Sequence, residues 1–182
     1  MKNILKGCRN LNRKAQREMV NLLSQFLYPV CRRYANSHED AKDLLQESLI
    51  LIFNNIHQCK SNQINGFKGW SRKITINTAL AKQRKRGFRM EVIHTLSVEH
   101  IDHPDVHSQL NVEDILTLLE QLPRNQRIVF NLAIIDGYSH REIADFLDIK
   151  ESSSRTFLAR ARNTMQQLIN REWQPKKNKI GS

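Results

Sequence analysis

Residues 137–165, which read GYSHREIADFLDIKESSSRTFLARARNTM, decide the fold. A helix is expected to begin at Ser139, because its hydroxyl can cap the first turn while Glu142 returns to the cap amide. After a turn around residues 148–151, a longer helix begins near residue 152 and keeps one apolar stripe. That stripe consists of Leu158, Ala161, Met165, Leu168 and Ile169. A short capped helix, a tight turn and a longer helix predict a helix-turn-helix, which we place at residues 122–165.

The outward face of the longer helix is small and polar at its centre, and arginines flank it. Ala159 can touch a thymine methyl group, and the guanidinium groups can reach guanine or clamp phosphates. We therefore expect this face to read double-stranded DNA; the alternative is a solvated arginine-rich surface on an ordinary bundle helix. The candidate DNA-binding residues are Ser152, Ser153, Arg155, Thr156, Ala159, Arg160 and Arg162.

Positive charge is concentrated in the first half of the chain. Lys and Arg number 29 against 18 Asp and Glu, a net charge of +11. Residues 1–87 hold 17 basic and 5 acidic side chains, residues 88–113 hold 1 and 5, and residues 114–182 hold 11 and 8. A compact basic half favours a polyanionic partner, because neutralising phosphates releases counterions. A soluble basic protein without such a partner is the alternative.

Composition and periodicity predict an all-α protein. Only 6 Gly and 4 Pro occur in 182 residues, and no segment alternates apolar and polar residues for long. We expect two small helical domains, residues 1–87 and 112–171, joined by a flexible acidic linker at 88–111. A basic tail at 172–182 follows.

Other classes of protein are disfavoured. The longest apolar stretches are far shorter than the roughly 20 residues of a membrane-spanning helix, so no membrane insertion is expected. Residues 1–11 lack the apolar core of a secretory signal, which predicts a cytoplasmic location. Cys8, Cys31 and Cys59 are odd in number and widely spaced, which predicts free thiols rather than disulfides or a zinc site.

A helix beginning after Ser37 has two contrasting faces. Its expected buried face consists of Ala41, Leu44, Leu45, Ser48 and Ile52. Its opposite face presents Asp43, Gln46, Glu47, Ile50 and Asn54. A partly acidic face with an exposed isoleucine in a basic lobe fits a protein partner better than DNA. An ordinary amphipathic surface helix is the alternative.

Residues 67–86 interleave cations with aromatic and apolar side chains. Such a pattern suits a melted DNA strand, because cations follow the backbone and flat surfaces receive unstacked bases. The expected buried stripe is Phe67, Trp70, Ile74, Thr78 and Ala81, with Lys68, Arg72, Gln83 and Arg86 opposite. Trp70 can equally be plain core.

Several short strings together resemble a known family. LP at 122–123, RxVF at 127–130, GYSxxEIA at 137–144 and RTxLxRAR at 155–162 resemble region 4 of sigma-70 family factors, most closely the small extracytoplasmic-function (ECF) group. DAxDLLQE at 40–47 resembles region 2.2, and residues 67–86 resemble regions 2.3 and 2.4. The resemblance covers both predicted lobes.

This resemblance implies a bacterial promoter-recognition subunit of RNA polymerase, with no enzymatic activity and no cofactor. It implies that Asp43, Gln46, Glu47 and Ile50 dock on the clamp helices of the polymerase β′ subunit, that the β flap is a further partner, and that an anti-sigma factor binds the chain. Region 4 would read the −35 element, and residues 60–65 would form a loop that captures a flipped base. The residues implied for the −10 element are Lys60, Asn62, Trp70, Arg72, Lys73, Asn77, Lys82, Gln83, Arg84 and Arg86.

Two positions depart from the family pattern. Ser154 stands where the recognition helix usually buries a valine, and Lys150 stands where a better N-cap is expected. Both put the −35 preference in doubt.

Two rival functions remain open from the residues. A conventional regulator would bind DNA as a dimer without joining the polymerase. An enzyme would need a site such as a metal centre at His94, His100, His103 and His107, but their spacing matches no common metal motif.

Overall fold

The computed structural model describes residues 2–85 and 112–172, which are helices joined by short turns and loops. No strand occurs within these residues, so the all-α prediction is confirmed for them. The chain divides into two compact units, Met1–Phe88 and Arg89–Ser182, called unit 1 and unit 2 below. The predicted linker, the predicted tail beyond residue 172 and Arg86 lie outside the described residues.

Within its described residues, unit 1 contains four helices around an apolar core. The helices are α1 (Lys2–Arg9), α2 (Arg13–Tyr34), α3 (His38–Asn54) and α4 (Ile64–Lys85), with a 3-10 turn at Ile56–Gln58. The core consists of Leu5, Cys8, Met19, Leu23, Leu27, Ile52, Ile56, Cys59 and Phe67. Ser37 caps α3 by accepting a hydrogen bond from the Asp40 amide at 3.1 Å, as its sequence predicts.

The buried face of α4 differs from the predicted one. It runs through Phe67, Ser71, Thr75 and Thr78, while Trp70 and Ile74 are only half-buried. Hydroxyl groups can be buried here because each threonine donates to the carbonyl four residues earlier, Thr75 to Ser71 at 3.1 Å and Thr78 to Ile74 at 2.9 Å. The helix is therefore rotated away from the orientation that its apolar residues suggest.

Unit 2 contains the predicted helix-turn-helix. Its helices are α5 (Val112–Glu120), α6 (Arg124–Phe130), α7 (His140–Leu147) and α8 (Glu151–Glu172), and α6 runs on into a π-helical turn at Asn131–Ile135. One cluster of its core consists of Leu118, Leu119, Leu122, Ala161 and Met165. The capping box at Ser139 and Glu142 is present, which confirms the predicted start of α7.

The three cysteines are free and buried, as predicted. Burial raises the pKa of the Cys31 thiol to about 12, so it stays protonated and unreactive at neutral pH. None of the described helices has the length and apolar character to cross a membrane.

Two glycines of unit 1 test how tightly α1 packs on α2. A Cβ at Gly7 would lie 2.6 Å from the Cβ of Ala15, whereas one at Gly69 would meet nothing within 4 Å. We expect Gly7→Ala to lower the free energy of unfolding by about 1–3 kcal/mol through overpacking. Gly69→Ala should raise it by about 0.5–1 kcal/mol, because alanine favours the helix.

Urea unfolding followed by circular dichroism measures both effects. Equal midpoints for the two variants would contradict the close approach of α1 to α2.

Candidate nucleic-acid interface

The turn between α7 and α8 exposes the first turns of α8. Asp148 adopts the left-handed conformation at φ 54°, and the Ile149 amide donates to the Ala144 carbonyl at 3.1 Å. Ser152, Arg155 and Arg162 are exposed, and Thr156, Ala159 and Arg160 are half-buried. All six lie on one side of α8, opposite the apolar stripe that runs from Leu158 to Ile169, as the sequence predicts.

Ser153 is also predicted to contact the −35 element, and its burial contradicts that prediction. Only 8% of it is exposed, because it faces the interior of unit 2 with its neighbour Ser154. A direct base contact therefore cannot come from Ser153.

Ser154 joins the two helices of the helix-turn-helix. It is fully buried, and its hydroxyl lies 2.9 Å from Nδ1 of His140 at the start of α7. The polar pair replaces the apolar contact that a valine would make, so the departure at Ser154 carries its own partner. Lys150 precedes α8 and its carbonyl accepts from the Ser154 amide at 3.2 Å.

Arg155 and Thr156 are held within α8. Arg155 pairs with Glu151 one turn earlier, and the Thr156 hydroxyl donates to the Ser152 carbonyl at 3.0 Å. The ion pair is exposed and contributes little stability. It orients the guanidinium along the outer face while leaving it accessible.

The exposed face of α4 is narrow and cationic. Lys73, Asn77 and Arg84 are exposed at positions i, i+4 and i+11, which align on one side of a helix. Trp70 lies at the edge of this face, with its ring centroid 5.6 Å from that of Phe67 and the two planes tilted by 30°. One side of the indole is thus packed while part of it stays accessible.

Other members of the predicted −10 set are engaged inside unit 1. Gln83 is only 3% exposed and donates to the Tyr34 carbonyl at 2.9 Å, so its prediction as a DNA contact is wrong. It satisfies a carbonyl that the end of α2 would otherwise leave unpaired. Lys82 forms an ion pair with Glu47 at 2.8 Å, and Arg72 is half-buried.

The loop before α4 carries Lys60 and Asn62 on the surface. It is held by Arg9, the last residue of α1, which donates to the Asn62 Oδ1 at 2.7 Å. Asn65, predicted as part of this loop, lies in the first turn of α4. Sequence reasoning missed Arg9, because it lies about fifty positions before the loop it contacts and no local pattern connects the two.

The predicted protein-binding face of α3 is accessible. Asp43, Gln46, Glu47 and Ile50 are all exposed, and Ile50 is 60% exposed. Leu51, which the periodicity did not single out, is 36% exposed beside it. An acidic and apolar surface therefore adjoins the cationic one within unit 1.

Among the described residues, no group of His, Cys, Asp and Glu is arranged to hold a metal ion. The four histidines considered for such a site lie outside the described ranges.

Each of the two helical units exposes a cationic helix face, which is the type of surface that nucleic acids bind. The family model for Sigma-70 region 2 matches residues 19–89, and that for Sigma-70, region 4 matches residues 113–165. Together the two segments cover more than half of the chain. The chain belongs to the sigma-70 family, and within it to the ECF group.

ECF RNA polymerase sigma factors are similar in sequence to this chain. The ECF RNA polymerase sigma factor SigE of Mycolicibacterium smegmatis is 27% identical over 158 residues, covering 84% of this chain. The chain spans only 60% of the length of that relative. The ECF RNA polymerase sigma factor SigM of Bacillus subtilis is 26% identical over 136 residues, covering 72% of this chain and 80% of the relative.

Solved structures share the fold. The sigma factor RpoE from Bartonella quintana, solved with the anti-sigma factor NepR, aligns with a TM-score of 0.51 at 23% identity. The alignment covers 86% of this chain and 97% of RpoE. CnrH, solved with the cytosolic domain of CnrY, aligns with a TM-score of 0.50 at 18% identity, covering 94% of this chain and 97% of CnrH.

The His140–Ser154 pair predicts a pH-dependent stability of unit 2. Burial of the imidazole lowers the pKa of His140 below its ordinary 6.5, and the charges of Arg155 and Arg162 lower it further against the opposing effect of Glu151. The unfolded chain therefore binds the proton more readily than the folded one. The stabilisation is fully present above pH 6.5 and is lost as the pH falls through the folded-state pKa of His140.

Thermal unfolding at about pH 7.5 and about pH 5.5 tests this effect. The melting temperature should fall further in the wild type than in His140→Gln, which lacks the titrating group. The same decrease in both proteins would exclude His140 as its cause.

Proposed function

We propose that this chain joins core RNA polymerase and directs it to promoters by binding two DNA elements. The proposal rests mainly on unit 1, which exposes both a cationic face on α4 and an acidic and apolar face on α3. Unit 2 adds a third surface, the arginine-rich face of α8. One surface for single-stranded DNA, one for the polymerase and one for duplex DNA are what a promoter-recognition subunit requires.

Unit 2 would bind the −35 element through the exposed side of α8. Arg155, Arg160 and Arg162 supply the cations, and Ser152, Thr156 and Ala159 form a low surface that base edges can approach. The buried Ser153 takes no direct part.

Unit 1 would bind the opened −10 element through α4 and the loop before it. Lys73 and Arg84 follow the strand backbone, Asn77 offers a polar contact, and the accessible part of Trp70 receives an unstacked base. The binding energy for unstacked bases offsets the few kcal/mol that unstacking costs at each step. In this role the chain supplies specificity and strand opening while the polymerase supplies catalysis, so it is not itself an enzyme and needs no cofactor.

The exposed α3 face would dock on the β′ clamp helices of the polymerase, with the β flap as a further contact. Ile50 and Leu51 supply apolar area, and Asp43 and Glu47 supply charge. Residues 88–111 would act as an acidic linker that passes close to the polymerase active site, between domains at 1–87 and 112–171. Because polymerase and promoters lie in the bacterial cytoplasm, the chain would act there.

An anti-sigma factor is a further proposed partner. RpoE, which shares this fold, was solved in complex with the anti-sigma factor NepR, and CnrH was solved in complex with the cytosolic domain of CnrY. A regulator that covers the α3 face or the α8 face would block either polymerase or DNA binding.

Mutation of α8 tests the −35 role. Arg155→Ala and Arg160→Ala should each weaken binding of holoenzyme to −35 duplex DNA by about 1–3 kcal/mol where the arginine reads a base. A phosphate contact would instead reduce the salt dependence by about one counterion. Arg171→Ala is the control, because it removes the same charge from the far end of α8.

Fluorescence anisotropy with labelled duplexes measures the affinities, and binding of the variants to core polymerase should be unchanged. Unaltered promoter-dependent transcription by both α8 variants would refute the assignment.

Charge reversal on α3 tests the polymerase face. Asp43→Lys should lower the affinity for core polymerase by about tenfold, because it places a repulsive charge on the docking surface. Glu18→Lys, at an exposed position on α2, makes the same change in net charge and should have no such effect.

Pull-down of purified core polymerase by the tagged full chain measures both variants. A wild-type chain that fails to bind core but dimerises on DNA would instead support a conventional regulator.

A further inference from the structure

Arg9 makes an extended contact with the loop before α4. Its Nη1 donates to the Asn62 Oδ1 at 2.7 Å, and its Nη2 donates to the carbonyls of Cys59 at 2.6 Å and Ser61 at 3.1 Å. One guanidinium therefore binds a side chain and two backbone groups of the same short segment. Hydrogen bonds from a charged donor are among the stronger ones in proteins.

The loop needs such a partner. The carbonyls of Cys59 and Ser61 lie between the 3-10 turn and α4, where no helical ladder satisfies them. On its other side the loop is braced by Ser61, whose Oγ accepts from the Gln63 amide at 3.2 Å. The start of α4 also abuts Ser61, because a Cβ at Gly66 would overlap its Oγ.

The position of Arg9 is itself fixed by packing. Leu5 and Cys8 of α1 are buried in the same core cluster as Ile56 and Cys59, which flank the loop. The close approach of Gly7 to Ala15 holds α1 against α2. The guanidinium thus comes from a rigid helix end, and it belongs to a part of the chain that precedes the segment matched by the region 2 model, residues 19–89.

The contact determines what Asn62 can offer to a ligand. Its Oδ1 accepts from Arg9, so the Nδ2 hydrogens are the groups left to face an incoming base. Asn62 is exposed, as is Lys60 beside it. An oriented amide donor next to a cation fits an unstacked base with an acceptor atom at its edge and the phosphate that follows it.

We propose that Arg9 is a positioning residue for base capture: it orients the Asn62 amide so that the loop selects one flipped base of the −10 strand. The inference rests on the proposed −10 role of unit 1 and adds the residue that gives the loop its shape. Arg9 acts through Asn62 and the loop carbonyls without touching the base.

The experiment measures binding of the holoenzyme to single-stranded −10 DNA by fluorescence anisotropy, with an abasic site moved one position at a time along the strand. In the wild type, removing the captured base should weaken binding by about tenfold at one position. Arg9→Ala and Asn62→Asp should both weaken binding to intact DNA. In both variants the abasic site at that position should reduce the affinity much less than it does in the wild type.

The two variants separate positioning from support of the fold. Asn62→Asp keeps an acceptor for Arg9 but loses the donors, whereas Arg9→Ala keeps the donors but frees the loop. Arg13→Ala removes an exposed cation near α1 and should behave as the wild type. If Arg9→Ala unfolds on a thermal melt, Arg9→Lys and Asn62→Asp carry the test, and Arg9→Lys should show an intermediate abasic penalty.

Each outcome decides a different claim. An abasic penalty in Arg9→Ala equal to that of the wild type, or an equal loss of affinity for every DNA, would overturn the positioning role. The proposed −10 role of unit 1, and with it this inference, would be overturned by two results together. The first is that no abasic site weakens binding of the wild type, and the second is that Lys60→Ala and Trp70→Ala bind −10 DNA as the wild type does.

Discussion

Ala161 and Met165 of α8 are buried against Leu118, Leu119 and Leu122, and this contact fixes the rotation of α8 about its own axis. Successive residues of a helix are about 100° apart, so a change of register by one position would turn the arginines toward the core. Burial of each large apolar side chain contributes about 1.5–3 kcal/mol, far more than any exposed ion pair on the outer face. The outer face is therefore free to be selected for DNA contact, because it contributes little to stability.

The sequence predicts well those parts of the molecule that depend on residues a few positions apart. Ser37 and Ser139 begin their helices as expected, because capping depends on residues three positions apart. The buried face of α3 is also as predicted, since its apolar residues recur with a clear helical period. Sequence reasoning fails on α4, where Ser71 and Thr75 are buried in place of larger apolar residues. The Thr75 hydroxyl is satisfied by a hydrogen bond to the Ser71 carbonyl within the helix, and hydrophobicity alone does not reveal such a bond.

Contacts between distant residues account for the remaining differences. Gln83 lies among cations on the predicted DNA-contacting face, yet its side-chain amide is buried and donates to the Tyr34 carbonyl. Ser154 cannot make the apolar contact of a valine, but in the fold its hydroxyl lies within hydrogen-bond distance of His140. Arg9 carries no motif at all, and its role depends on the packing of α1 onto α2. Each of these pairs is set by tertiary packing, which periodicity cannot locate.

Unit 1 brings its two proposed surfaces together at one ion pair. Lys82 of α4 forms an ion pair with Glu47 of α3, and both side chains are partly exposed. Such a pair contributes about 1 kcal/mol or less, so either partner can be exchanged for a phosphate or a polymerase side chain at little cost. Binding of polymerase and of the −10 strand can thus influence each other within one small helical bundle.

The central claim is that the two units read two DNA elements at once while bound to one polymerase. It is tested most directly by transcription in vitro with core polymerase, the full chain and a promoter whose two elements are separated by an added half-turn of DNA, about 5 base pairs. We expect initiation to be largely lost on this template and to recover when the elements return to their original spacing. Initiation that is indifferent to the insertion would contradict simultaneous reading of both elements.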